Sequence, residues 1–341
     1  MDLQEKTTVE TAHELLTVSP SPHAHRRMST SSLMKDVLVA LMPASIWGIY
    51  VFGLRAAIVL LLSVVSCVLF EMLTQLILRR PVTVSDCSAA VTGLLLGLNL
   101  SSGVPFYIPV VGAAFAIIVV KQLFGGLGKN IMNPALAARV FLMLAWSNSM
   151  ASTYPAAYDR KIVDVVASAT PLDALKTGSM QGIDLLDLFL GKHGGCIGEV
   201  SVLMLLIGGL YLLLRGVIRW HMPVAMIGTV ALITFALPMP IGMDATLMER
   251  LSFCAASVCS GGLMIGAFFM ATDYVTSPVT SWGRIIYAVG AGLITVFIRY
   301  FGGLDEGVSF AILIMNALVW YLDMATKPRV YGKSRREKKK A

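Results

Sequence analysis

The chain has 341 residues, of which 56% are apolar and only 14% charged, against roughly 45–50% and about 25% in soluble domains. Nearly uncharged runs at 56–69, 104–120 and 202–214 cannot all be hidden in a soluble core, so the composition excludes a soluble domain and implies an all-α polytopic membrane protein. The net charge of +7 resides in the last fifteen residues, where eight Lys and Arg face Glu337 alone; such a tail marks the cytoplasmic side and touches membrane lipid, and it does not indicate nucleic acid.

Residues 1–32 are polar, with Glu5, Glu10 and Glu14, and contain no apolar stretch of the kind a secretory signal needs. They read as a cytoplasmic N-terminal segment. Ten hydrophobic segments follow, near 36–53, 55–78, 85–101, 104–127, 131–147, 196–216, 221–241, 250–271, 283–303 and 307–324. The third and fifth are short for a bilayer, which suits tilted, broken or re-entrant helices. The organisation is a first five-helix block at 33–147, a loop at 148–195, a second five-helix block at 196–325 and a basic tail at 326–341.

Lys and Arg in the connections set the orientation. With Arg26, Arg27 and Lys35 in the cytoplasm, Arg79, Arg80, Lys129, Arg215, Arg219, Arg284 and the tail fall on the same side. Both termini are then cytoplasmic, and the 148–195 loop faces outward. That loop contains Asp164-Val165-Val166-Ala167-Ser168-Ala169-Thr170-Pro171-Leu172.

The two blocks echo each other. Gly93–Gly97 matches Gly262–Gly266, Val111-Gly112-Ala113 matches Val289-Gly290-Ala291, and Phe124–Leu127 matches Phe301–Leu304. Ile131-Met132-Asn133 matches Ile314-Met315-Asn316. Four matches in one order imply a repeat, and five spans per block invert the second copy. Inverted repeats place functional sites at their interface, beside broken helices. The glycines alone also suit close helix packing.

Carboxylates inside spans are costly and mark function. Glu71 in the second segment is the strongest candidate. A cation or proton path and a hydrogen bond to a neighbouring helix suit it equally. Asp86, Glu199 and Asp273 lie near segment ends, and Asp273 suits a turn cap. Asn133-Pro134 reads as a helix start. The five cysteines form no CxxC pair and the five histidines no HExxH cluster, so no metal site is expected. A cysteine ligand to an iron–sulfur group shared with another subunit stays open. There is no P-loop spacing and no dinucleotide fingerprint.

Over residues 30–330 the chain resembles a family that joins the D subunits of Rnf-type ferredoxin:NAD oxidoreductases and the B subunits of sodium-translocating NADH:quinone reductases. The resemblance is carried by Phe124–Ala135 and Ser168-Ala169-Thr170-Pro171-Leu172. Chain length favours the D subunit. The resemblance implies FMN bound covalently to Thr170 through a phosphoester, installed by a flavin transferase that reads Asp164, Ser168 and Ala169. Asp164, Ala169 and Thr170 match the recognition pattern, whereas Ala167 and Ser168 depart from its hydroxyl and glycine positions. The resemblance further implies a non-covalent riboflavin in the membrane part and partners of the A, B, C, E and G type. It also implies residence in the bacterial cytoplasmic (inner) membrane, with electron flow between ferredoxin and NAD coupled to Na⁺ or H⁺ transport. The alternatives are the quinone-reductase subunit and a secondary transporter or channel without a redox group, which would have no use for the Thr170 loop.

Overall fold

A computed structural model describes residues 29–151, 154–155, 157–158, 170–179, 184–242, 244–303 and 306–328. Asp164, Ser168 and Ala169, the N-terminal segment to residue 28 and the tail from residue 329 lie outside the described residues. The regular structure is helical: α1 Thr30–Phe52, α2 Leu54–Ile77, α3 Ser88–Leu98, α4 Tyr107–Gln122, α5 Pro134–Ala145, α6 Pro171–Lys176 and α7 Leu185–Leu190. It continues with α8 Val202–Leu214, α9 His221–Ala236, α10 Leu247–Cys259, α11 Leu263–Met270, α12 Ser281–Phe301 and α13 Val308–Thr326.

The expectation of a polytopic helical protein holds, with helices in every expected segment. Five helices are long and apolar enough to cross a membrane by themselves: α1, α2, α9 (taken to Ile241), α12 and α13. The expected single span at 250–271 is instead two helices, α10 and α11, bent by 61°. The break is Ser260-Gly261-Gly262, with Gly261 at φ +69°, a backbone that glycine adopts without steric cost. Not only the third and fifth segments are short. Helices α3, α4, α5 and α8 all fall below the length of the five full spans, and α8 starts at Val202 rather than near 196.

Local chemistry sets several of these ends. Ser29 caps α1 by accepting from Ser32 N at 3.2 Å. Asn133 caps α5 by accepting from Ala135 N at 3.0 Å, with Pro134 at the first helical position. The last two turns of α4, Phe115–Gln122, have π geometry, the wide winding often found at functional sites. Apolar side chains such as Leu61, Leu214, Leu232 and Phe297 point outward, which suits a lipid-facing surface. The inner faces form one large apolar cluster running through both blocks.

Small residues set the close approaches. A Cβ on Gly93 would stand 2.7 Å from Ser63 O on α2. One on Gly208 of α8 would overlap Ala40 O of α1. The echoed asparagines also meet. With the Asn316 amide oriented to match donors with acceptors, its oxygen accepts from Asn133 N at 3.2 Å and its nitrogen donates to Thr276 O at 3.0 Å.

Candidate functional site

Thr170 stands at the N-cap of α6, with Pro171 at the first helical position. Its Oγ1 donates to Asp173 Oδ2 at 2.7 Å, and Asp173 N donates back to Oγ1 at 3.3 Å. Thr170 N also donates to Asp173 Oδ2, at 2.8 Å. This reciprocal capping box fixes the hydroxyl. It also sets a carboxylate on the hydroxyl proton, the arrangement that a hydroxyl nucleophile needs in group transfer.

Thr170 is half-buried and lines a cavity shared with Tyr154, His193, Glu199, Gly261 and Glu306. Met143, Met150 and Leu172 give it apolar walls, and Gly194, Gly195 and Gly303 leave it without side chains on another face. A Cβ on Gly303 would meet nothing within 4 Å. His193 Nδ1 lies 3.0 Å from Gly194 O. Burial pushes the imidazole pKa down, against the pull of the Gly194 and Val200 carbonyls. The fixed hydroxyl thus lies beside a cavity that has apolar and glycine walls on some faces and Glu199 and Glu306 on another.

Behind this cavity lies a buried charge cluster. Arg139 of α5 donates from Nη1 to Asn99 Oδ1 at 2.5 Å and to Glu306 Oε1 at 3.1 Å. Its Nη2 donates to Glu199 Oε1 at 3.2 Å, to Cys196 Sγ at 3.4 Å and to Glu306 Oε2. Arg139 is only 2% exposed. Cys196, Glu199 and Glu306 present metal-ligand atom types within 4.8 Å of one another. The guanidinium donates to all three, so it supplies the positive charge that a metal would bring. Arg299 of α12 lies alongside, donating to Ser257 O at 2.6 Å and Ser260 O at 3.2 Å at the helix break.

The second buried network is built on Glu71, which is 1% exposed. Its Oε1 accepts from Lys121 Nζ at 2.7 Å and from Gln122 Nε2 at 2.9 Å. Lys121 also donates to Ser88 Oγ at 2.6 Å. The π winding of α4 turns both Lys121 and Gln122 towards α2. Glu71 Oε2 is buried without a hydrogen-bond partner. Lys121 also lines a second cavity, with Ser88, Thr92, Asn130, Asn133 and Asp273 as its polar wall and Leu95, Phe268 and Phe269 among its apolar residues. The buried Asn130 Oδ1 has no partner there. Asp273 caps a turn, accepting from Val275 N at 3.3 Å and Thr276 Oγ1 at 3.2 Å.

The two cavities sit at opposite ends of α5. Pro134 lines one and Met143 the other, two and a half turns apart, or about 13 Å along the axis.

Of the residues singled out in the sequence, Thr170 caps α6 beside the first cavity, Glu71 lies in the second buried network, Asn133 caps α5 and Asp273 caps a turn. Sequence reading placed Glu199 near a segment end, where the structure buries it against Arg139. It missed Lys121, Arg139 and Glu306 as functional candidates. The signal for the two bases was present: a cation inside an apolar run is as costly as a carboxylate.

The family model described as "NQR2, RnfD, RnfE family" matches residues 17–332. A relative in Acetobacterium woodii, the D subunit of a Na(+)-translocating ferredoxin:NAD(+) oxidoreductase complex, is 50% identical over 322 residues, covering 93% of this chain and 95% of that one. The D subunit of the proton-translocating ferredoxin:NAD(+) oxidoreductase complex of Clostridium ljungdahlii is 40% identical over 330 residues, covering 94% and 97%. The D subunit of the ion-translocating oxidoreductase complex of Stutzerimonas stutzeri is 37% identical over 345 residues, covering 92% and 95%. With its whole membrane region matched, the chain belongs to the NQR2, RnfD, RnfE family.

Proposed function

We propose that the protein is the D-type membrane subunit of an Rnf complex, the ion-translocating ferredoxin:NAD oxidoreductase, and that it carries FMN on Thr170. The observation that carries this reading is the Thr170 hydroxyl, fixed by Asp173 at the mouth of the first cavity. The relatives at 50% and 40% identity are D subunits of ferredoxin:NAD complexes, which favours this reading over the quinone-reductase B subunit. NAD and ferredoxin would bind other subunits, of the A, B, C, E and G type. The coupled ion is Na⁺ or H⁺, the two ions named among the relatives.

Covalent FMN would supply the one- and two-electron chemistry that electron transfer needs. The residues act around it. Thr170 Oγ1 holds the phosphoester. When a flavin transferase joins Thr170 Oγ1 to the flavin phosphate of a flavin dinucleotide, the phosphoanhydride bond breaks, the nucleoside monophosphate leaves and Asp173 Oδ2 takes the hydroxyl proton; Asp164, Ser168 and Ala169 form the recognition segment of that transferase. Met143, Met150 and Leu172 exclude water from the cavity. We assign a non-covalent flavin such as riboflavin to the second cavity, where Asn130 Oδ1 and Asn133 offer hydrogen bonds to its heterocycle or ribityl chain. Glu71, with Lys121 as its counter-ion, serves the ion path. The protein resides in the bacterial cytoplasmic membrane, with both termini inside and Thr170 on the outer face.

Co-expression with a flavin transferase tests the central assignment. A fluorescent band on a denaturing gel is expected for the wild type and is lost in Thr170→Val. A wild-type chain without the band under those conditions contradicts it.

A further inference from the structure

Four buried charged groups converge where α5, the break between α10 and α11, the segment before α8 and the start of α13 meet. Two are cations, Arg139 and Arg299, and two are carboxylates, Glu199 and Glu306. Arg139 directs its Nη donors to both carboxylates, Asn99 and Cys196. Arg299 directs its Nη donors to backbone carbonyls. Fully ionised, the four groups sum to zero charge.

The two carboxylates are pressed together. Both turn an oxygen towards the Cα of Gly262. A Cβ there would overlap Glu306 Oε1 and stand 3.1 Å from Glu199 Oε1. Their carboxyl oxygens lie within 4.8 Å of each other, where two ionised carboxylates repel strongly. Like carboxylates in one site share a proton for this reason.

Glu199 and Glu306 also line the Thr170 cavity. Any negative charge added in that cavity leaves the cluster with a net buried anion, which is costly. The other groups facing Glu306 cannot offset it. Burial pushes the His193 imidazole pKa down, against the pull of the Gly194 and Val200 carbonyls and of Asp187. Cys196 and Tyr154 are acids. Asp173 is engaged by Thr170. The space between the carboxylates is filled by the guanidinium, which leaves a proton as the cation that fits.

The geometry points to Glu306, sharing one proton with Glu199 beside Arg139, as a proton site that fills when negative charge is added in the Thr170 cavity and empties when it leaves. A single proton enters from the aqueous phase outside the cavity when the first negative charge is added, and it returns when that charge is removed. The source of that charge rests on the covalent-flavin reading, with electrons supplied by a one-electron donor. Burial, and then the neighbouring Glu199, push the Glu306 carboxyl up to about 7 against the pull of Arg139 and Arg299. Below that midpoint the site is already full and reduction adds no proton. Just above it, reduction draws one in.

Infrared difference spectroscopy of the purified full chain tests this. A protonated-carboxyl C=O band should titrate near neutral pH, vanish in Glu306→Gln and persist in Thr170→Val. Just above the midpoint, dithionite reduction of the flavin-loaded wild type should enlarge the band, and the same treatment of Thr170→Val should not. In Glu199→Gln the band should titrate at lower pH, which keeps the test open where Glu306→Gln does not fold. A band untouched by Glu306→Gln, an unshifted midpoint in Glu199→Gln, or equal band size before and after reduction overturns the proposal. A missing fluorescent band on the denaturing gel would instead sink the flavin reading. The titrating band in Thr170→Val would still decide the proton site.

Discussion

At the scale of single residues, the structure ties three roles to three kinds of environment. Thr170 has a hydroxyl fixed by one carboxylate. Asp173→Asn keeps the shape of that contact but cannot take a proton. Flavin attachment, followed by in-gel fluorescence over time, should slow on the order of 10²-fold, the lower end of general-base contributions. Glu71 has one oxygen paired and one bare. Replacing Lys121 with Met strands a buried carboxylate and should cost about 3–5 kcal/mol of stability. Adding Glu71→Gln to that variant should restore most of the loss in a thermal-unfolding assay, because the stranded charge is gone. Glu71→Gln alone should slow ion transport by the reconstituted complex more than it slows partial electron transfer. Equal losses would assign Glu71 a structural role. Thr170 and Glu71 were legible in the sequence because each is out of place for its type: a Thr-Pro in the one long polar loop, and an acid in an apolar span. Arg139 and Lys121 were equally out of place. Their partners were hidden, since Glu199 and Glu306 are 60 and 167 positions from Arg139 and only the fold brings them together.

Among the elements, the bent pair α10–α11 departs most from its reading as one continuous span. Residues 250–271 are mostly apolar, broken only by Arg250 and three serines, and hydropathy cannot register a bend. The double glycine at 261–262 was visible, but Gly-Gly pairs elsewhere in the chain read equally well as packing contacts. What distinguishes this pair is its surroundings: a Cβ on Gly261 would stand 3.2 Å from an Arg299 nitrogen, and one on Gly262 would meet both buried carboxylates. Gly262→Ala should therefore disrupt the charge cluster as well as the bend. Gly208→Ala provides the contrast, because it overpacks α8 on α1 at Ala40 O, a contact that involves none of the Arg139 cluster. Overpacking costs typically about 1–3 kcal/mol. Gly208→Ala should lower the unfolding temperature while leaving the proton band of Glu306 in place, whereas Gly262→Ala should abolish that band. The π winding of α4 was also invisible in the sequence, because it depends on how Lys121 and Gln122 meet Glu71 across the helix pair.

For the whole molecule, composition fixed the class and the spacing of apolar runs fixed the order of elements. Asn133 and Asn316, matched to each other in the echo between blocks, meet in the fold, a contact the echo alone does not announce. The sidedness rests on the positions of Lys and Arg. It predicts that a cysteine placed at the exposed Leu186 reacts with a membrane-impermeant maleimide from outside intact cells, and one placed at Lys327 only after the membrane is opened; the reverse pattern would invert the orientation. The account as a whole depends on whether Thr170 carries the redox group. Mass spectrometry of the peptide containing Thr170, from chain made together with a flavin transferase, addresses this directly. The account predicts a mass increase equal to FMN less one water, with fragment ions assigning it to Thr170. An unmodified Thr170 peptide, or the adduct on another residue, would contradict it.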